Sequence, residues 1–186
     1  YERRVDGETL TERTESGYNG EIIGGTTTGV EAPTDSAGVE FNGEDGTILV
    51  ADDEDALDPS GYSVSFWTRT EGTDGYSAPV GKSDSMWMGT SPEGTSPRFD
   101  PYDSANEADF FVADTNITDG EWHHIVYVHS VLRDVSAIYV DNELAASSES
   151  ARASPDSGQP LGIGSKSDES DHYTGVMADV RLYRRG

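Results

Sequence analysis

The sequence predicts an all-β fold, a two-sheet antiparallel sandwich, and three observations predict it. Stretches dense in β-branched and aromatic residues recur along the 186 residues, apolar and polar side chains alternate within them, and no segment sustains a helical apolar period. Gly-rich turns separate the stretches. A chain of this length buries roughly two thirds of its unfolded surface, so it need not depend on a metal or partner to fold, and having no cysteine it has no disulfides to help. One domain over residues 1–186 is expected.

The clearest pair of strands is residues 121–128 with residues 137–144, where Asp141-Asn142 tolerates the left-handed backbone of a tight hairpin turn. Upstream, residues 38–43 and 46–50 read as two short strands separated by a Gly-containing turn. In residues 62–67, alternation puts Tyr62, Val64 and Phe66 on a core face and Ser63, Ser65 and Trp67 on the other. Residues 174–183 repeat the pattern, with Val176, Ala178, Val180 and Leu182 on one side and Asp179, Arg181 and Tyr183 opposite. Residues 1–25 read as an opening strand and turn, 26–37 as a polar connector, and Asp52-Asp53-Glu54-Asp55 as a solvated acidic loop. Residues 89–109, with Pro92, Pro97 and Pro101, read as the longest irregular stretch.

Six short motifs follow one another in order: Ser16-Gly17-Tyr18-Asn19-Gly20, Phe41-Asn42-Gly43, Ser65-Phe66-Trp67, Trp122-His123-His124, Tyr139-Val140-Asp141-Asn142 and Ala178-Asp179-Val180-Arg181-Leu182-Tyr183. Together they resemble the laminin-G-like or pentraxin-like group of concanavalin A-like jelly rolls, of the lectin/glucanase superfamily. Residues 84–116 match poorly, and Asn142 stands where the group usually has Gly, a departure that turn sterics permit. The resemblance implies a jelly-roll sandwich whose edge loops or concave face carry any binding site.

Charge is the second informative feature. The chain carries 36 acidic against 12 basic residues, a net charge of -24, and Lys82 and Lys166 are its only lysines. Such self-repulsion destabilises a compact state at ordinary ionic strength, but at molar salt the screening length falls to about 3 Å. The composition therefore points to a hypersaline environment; the other reading is an acidic domain that binds many calcium ions. Nucleic acid and anionic membrane surfaces are poor partners, because the only basic cluster is Arg181, Arg184 and Arg185. No stretch approaches the length of a membrane span. The chain begins at Tyr1, which suggests a processed product or part of something longer.

For calcium, an ion that takes six to eight oxygen ligands, the resemblance points to the loop after the Trp-bearing strand and the loop before the last strand. On this chain those loops supply Asp74, Asp168 and Asp171. Asp179, inside the closing strand, needs a hydrogen-bond partner or a cation and reads first as a structural cap. Zinc is disfavoured, since His123 and His124, adjacent on a strand, point to opposite faces and His129 and His172 are isolated. Glycoside-cleaving jelly rolls carry a Glu-x-Asp-x-x-Glu strand signature, which is absent here, so no catalytic residues are expected.

Recognition remains. Tyr76, Trp87 and Tyr102 lie in or beside loop-like segments and are the candidate platforms for stacking on sugar rings, although Trp87, between Met86 and Met88, also suits a core strand. Trp67 and Trp122 read as packing residues. Asn116-Ile117-Thr118 is an N-glycosylation acceptor pattern. The expected function is a non-catalytic extracellular module that binds carbohydrate or glycoprotein at a salt-adapted cell or virion surface. The alternative is a structural decoration, tail or fibre domain of a halophilic virus or surface filament.

Salt dependence tests the charge reading. From low to multi-molar salt, the melting temperature should climb, by roughly 2–4 °C for each kcal/mol of self-repulsion that screening removes; a melting temperature indifferent to salt contradicts it.

Overall fold

The structure is a computed structural model that describes residues 9–10, 18–52, 57, 61–72, 75–102, 109–153 and 157–184. In chain order its strands are β1 (Thr9–Leu10), β2 (Gly20–Ile23), β3 (Thr26–Val30), β4 (Gly38–Asn42), β5 (Thr47–Val50), β6 (Gly61–Arg69), β7 (Val80–Lys82) and β8 (Met86–Thr90). They continue as β9 (Pro97–Pro101), β10 (Phe111–Val112), β11 (His123–Ser130), β12 (Val135–Val140), β13 (Glu143–Ser148), β14 (Leu161–Ile163) and β15 (Thr174–Tyr183). One sheet has eight strands in the order β1-β2-β5-β14-β7-β8-β9-β10, the other seven in the order β13-β12-β11-β6-β15-β4-β3. Every pairing is antiparallel, as the sequence pattern predicts for a jelly-roll sandwich.

The core lies between the sheets. Tyr62, Val64 and Phe66 of β6 are fully buried, as their alternation requires, and meet Ile22, Ile48, Met86, Met88 and Phe99 of the other sheet. Phe99 is the hub, with the rings of Tyr62, Tyr127 and Phe111 edge-on to it. β11 pairs with β12 in the register Ile125 to Val140, and the following turn holds Asp141 and Asn142 at φ 51° and 69°. β4 and β5 are adjacent in sequence but belong to different sheets. The crossing is fixed by Asn42, whose side-chain oxygen accepts the N–H groups of Glu44, Asp45 and Gly46.

Four local expectations are corrected. Residues 26–30 are a strand rather than part of a connector, because Thr26-Thr27-Thr28 is a β-branched run that pairs with β4. Residues 97–101, expected to be irregular, form β9, with Pro97 and Pro101 at its ends, where a missing N–H is tolerated. In β15 the core face changes at Asp179, a residue with φ 52° at a register shift: Met177 lies in the core before it and Val180 and Leu182 pack there after it. Val176 and Ala178 are thus buried on the outward side.

The fourth concerns Asp52. Instead of facing water, its carboxylate accepts the Lys82 ammonium at 2.6 Å with both side chains fully buried, and it also accepts the Leu57 N–H. Removing one partner strands a buried charge. Lys82→Met is expected to destabilise the fold by about 3–5 kcal/mol in chemical denaturation, and adding Asp52→Leu to recover much of that loss; a stability unchanged by Lys82→Met contradicts the pairing.

Candidate functional site

The outward face of the eight-stranded sheet carries the candidate site. On β8 and β9, Met86, Met88 and Phe99 point into the core, so Trp87, Gly89, Arg98 and Asp100 point out. Register sets Trp87 between Gly81 and Asp100, with Gly89 opposite Arg98. The Trp87 ring lies over Gly89, where a Cβ would come within 2.1 Å of it. A second close approach occurs at Gly81 and Gly162, paired on β7 and β14, against which the backbone of Ser165 and Lys166 rests.

That loop, residues 164–173, is pinned to its neighbours. The Gly164 N–H donates to Pro79 O at 2.8 Å, the Tyr173 N–H to Gly164 O at 2.8 Å and the Ala78 N–H to Asp171 O at 2.7 Å. Asp171 sits at φ 53°, and its Oδ2 accepts the Trp87 indole N–H at 3.2 Å. Two loops and a hairpin are thereby tied around one indole.

Arg98 is the centre of the rim. Its Nε and Nη2 donate to the two oxygens of Asp100 at 2.7 and 2.8 Å, and Nη1 donates to the Tyr76 hydroxyl at 3.3 Å. The guanidinium stacks 4.0 Å from the Phe110 ring centre, 5.2 Å from Tyr76 and 5.6 Å from Trp87. Burial pushes the Asp100 carboxyl up even though Arg98 opposes this. Burial, with the charge of Asp100 next, also raises the Tyr102 hydroxyl.

Together Tyr76, Trp87, Arg98, Asp100, Tyr102, Lys166 and Asp171 line a recess of about 180 Å³. This is smaller than the roughly 300–1,000 Å³ pockets that enclose drug-sized ligands. The three aromatic candidates thus come together. Tyr76 is half exposed at the rim and Tyr102 partly so, whereas Trp87 is 4% exposed and forms the floor, buried but outside the core cluster.

The calcium candidates do not assemble in the same way. Asp74 lies outside the described residues. Asp168 Oδ1 accepts the Ser170 hydroxyl and N–H, which lower its pKa, and Oδ2 stands 3.6 Å from Lys166 Nζ. Asp171 serves Trp87, and among the described residues no three acidic or histidine side chains are grouped to hold a metal. Asp179 instead forms a two-point pair with Arg181 at 2.9 and 2.7 Å. Asn116 is exposed and accepts the N–H and hydroxyl of Thr118, both at 2.8 Å.

Trp67 and Trp122 lie on the outward side of the seven-stranded sheet, Trp67 beside the His124 ring at 5.1 Å and Trp122 under Arg69 at 5.1 Å. Arg98, Asp100 and Lys166 were missed by sequence reasoning. The available signal was Arg98-Phe99-Asp100, a charged pair flanking an aromatic at strand spacing, which the surrounding prolines disguised.

With this geometry in place, the chain belongs to the concanavalin A-like lectin/glucanases superfamily, the Laminin_G_3 family model matching residues 42–186. No curated protein matches it. Among solved structures it is similar to the binding domain of Paraclostridial Mosquitocidal Protein 1, at 16% identity and TM-score 0.71 over 96% of this chain and 48% of that one. It is similar to the binding domain of Botulinum Neurotoxin DC in complex with SialylT, at 15% identity and TM-score 0.66 over 95% and 47%. The Botulinum Neurotoxin Type G receptor binding domain matches at 15% and 0.63 over 92% and 44%. The chain spans about half the length of these structures, and at such identities the likeness is one of fold.

His123 sits between two carboxylates, Nδ1 2.8 Å from Asp141 and Nε2 3.1 Å from Asp119. Burial disfavours its charged form, but the hydrogen bonds to Asp141 and Asp119 outweigh this and raise its pKa above that of a free imidazole. Its contribution to stability is therefore complete below about pH 6.5 and fades as pH rises through the folded value. Asp141→Asn should bring the His123 pKa down in an NMR titration and flatten that part of the stability profile; an unmoved pKa contradicts the pairing.

Proposed function

We propose that this chain is a non-catalytic carbohydrate-recognition module that takes one sugar ring in the recess between β7–β9 and the 164–173 loop. The observation that carries this reading is the convergence of Tyr76, Trp87 and Tyr102, from separate segments, around Arg98. Tyr76 is half exposed at the rim, and an exposed ring is the surface on which a pyranose face packs. The Arg98–Asp100 pair fixes the rim, so the site is formed before the ligand arrives. The binding domains to which the fold is similar support recognition rather than catalysis.

The net charge of -24 supports placement in an exported or surface protein working at high salt, and the exposed Asn116 supports a glycan there. Calcium enters this reading only if Asp74 joins Asp168 and Asp171 at the rim. A glycan array in molar salt, repeated with a chelator, addresses both points: a retained signal assigns the site to the recess alone, and a lost one assigns a cation to it. For any glycan found, Tyr76→Ala is expected to weaken binding about tenfold, a loss of roughly 1–1.5 kcal/mol of ring contact. Full affinity in that variant contradicts the recess as the site.

A further inference from the structure

We infer that the sugar taken by the recess bears a carboxylate, which is held by the Lys166 ammonium. This rests on the carbohydrate reading and names the ligand class for the same site.

Two cations, Arg98 and Lys166, and two carboxylates, Asp100 and Asp171, line the recess, and both carboxylates are already engaged by its own walls. Both oxygens of Asp100 are taken by Arg98, and Oδ2 of Asp171 is taken by the Trp87 indole. The Lys166 side chain is 24% exposed, and its ammonium is ion-paired with the more exposed Asp168 at 3.6 Å, a separation beyond hydrogen-bond length that leaves its N–H groups to a ligand. The Tyr102 hydroxyl lines the same recess and makes no hydrogen bond among the described residues. An ammonium only donates and a carboxylate only accepts, so the two match, and the Tyr102 hydroxyl, which can do either, is able to donate to the same group.

The placement of Lys166 is built into the sheet. Gly81 and Gly162 leave bare backbone under the loop, and a Cβ on Gly81 would stand 3.2 Å from the Lys166 Cα. The chain has two lysines against 36 acidic residues; one is enclosed with Asp52, and the other is held at the mouth of this recess. At molar salt, screening shortens to about 3 Å, so the repulsive field of the acidic surface fades while a contact-range ammonium–carboxylate bond persists.

The test is calorimetric titration of the full chain, in molar salt, with the methyl glycosides of galacturonate, glucuronate and N-acetylneuraminate and with the carboxyl-methyl ester of each. At least one acid should bind about tenfold more tightly than its own ester. Lys166→Met should narrow that preference to about twofold or less, with Lys166→Arg restoring part of it. Equal binding of acid and ester, or a preference that survives Lys166→Met, overturns the carboxylate assignment and leaves the sugar reading standing. If neither acids nor esters bind and Tyr76→Ala changes nothing on the glycan array, both fall. Circular dichroism melts confirm that the Lys166 variants are folded.

Discussion

Strict alternation along the β8–β9 hairpin is the constraint on which both the fold and the site depend. Met86, Met88 and Phe99 seal the core against Tyr62 and Tyr127, so Trp87, Gly89, Arg98 and Asp100 have only the outward face. A one-residue slip would exchange the two sets, burying a guanidinium and a carboxylate among apolar rings. The same register that packs the sandwich therefore assembles the recess.

A second layer is built on that outward face. Bare backbone at Gly81 and Gly162 lets the 164–173 loop lie on the sheet, and Gly89 lets the indole of Trp87 lie flat. The indole N–H then finds Asp171, and the Arg98 guanidinium finds three aromatic rings. The Trp87 indole and the Arg98 guanidinium are each satisfied by a neighbour that another contact fixes, which holds the shape of a small open recess. Most of the other acidic residues among those described face solvent instead.

Much of the sandwich was legible in the sequence. Tyr62-Ser63-Val64-Ser65-Phe66-Trp67 and the Asp141-Asn142 turn carry period-two and left-handed-turn signals strong enough to set face and register. Prolines hid β9, a bulge at Asp179 reversed the face of β15, and Asp52 sat in an acidic run whose usual fate is solvent. Of the site, the aromatic residues could be named but not their meeting. Tyr76 reaches Trp87 from the loop before β7, which is tied to β8 by hydrogen bonds between Ser77 and Thr90, and Lys166 arrives from a loop almost 80 residues further along the chain, a contact no local pattern encodes.

Two aromatic surfaces compete for the role of sugar platform, the recess around Tyr76 and the Trp67–His124 and Trp122–Arg69 pairs on the opposite sheet. Intermolecular NOEs between the ring protons of a bound sugar and assigned aromatic side chains, recorded in molar salt, separate them. Contacts to Tyr76 and Tyr102 are the predicted result. Contacts to Trp67, Trp122 or His124 instead would place recognition on the seven-stranded sheet and contradict the site described above.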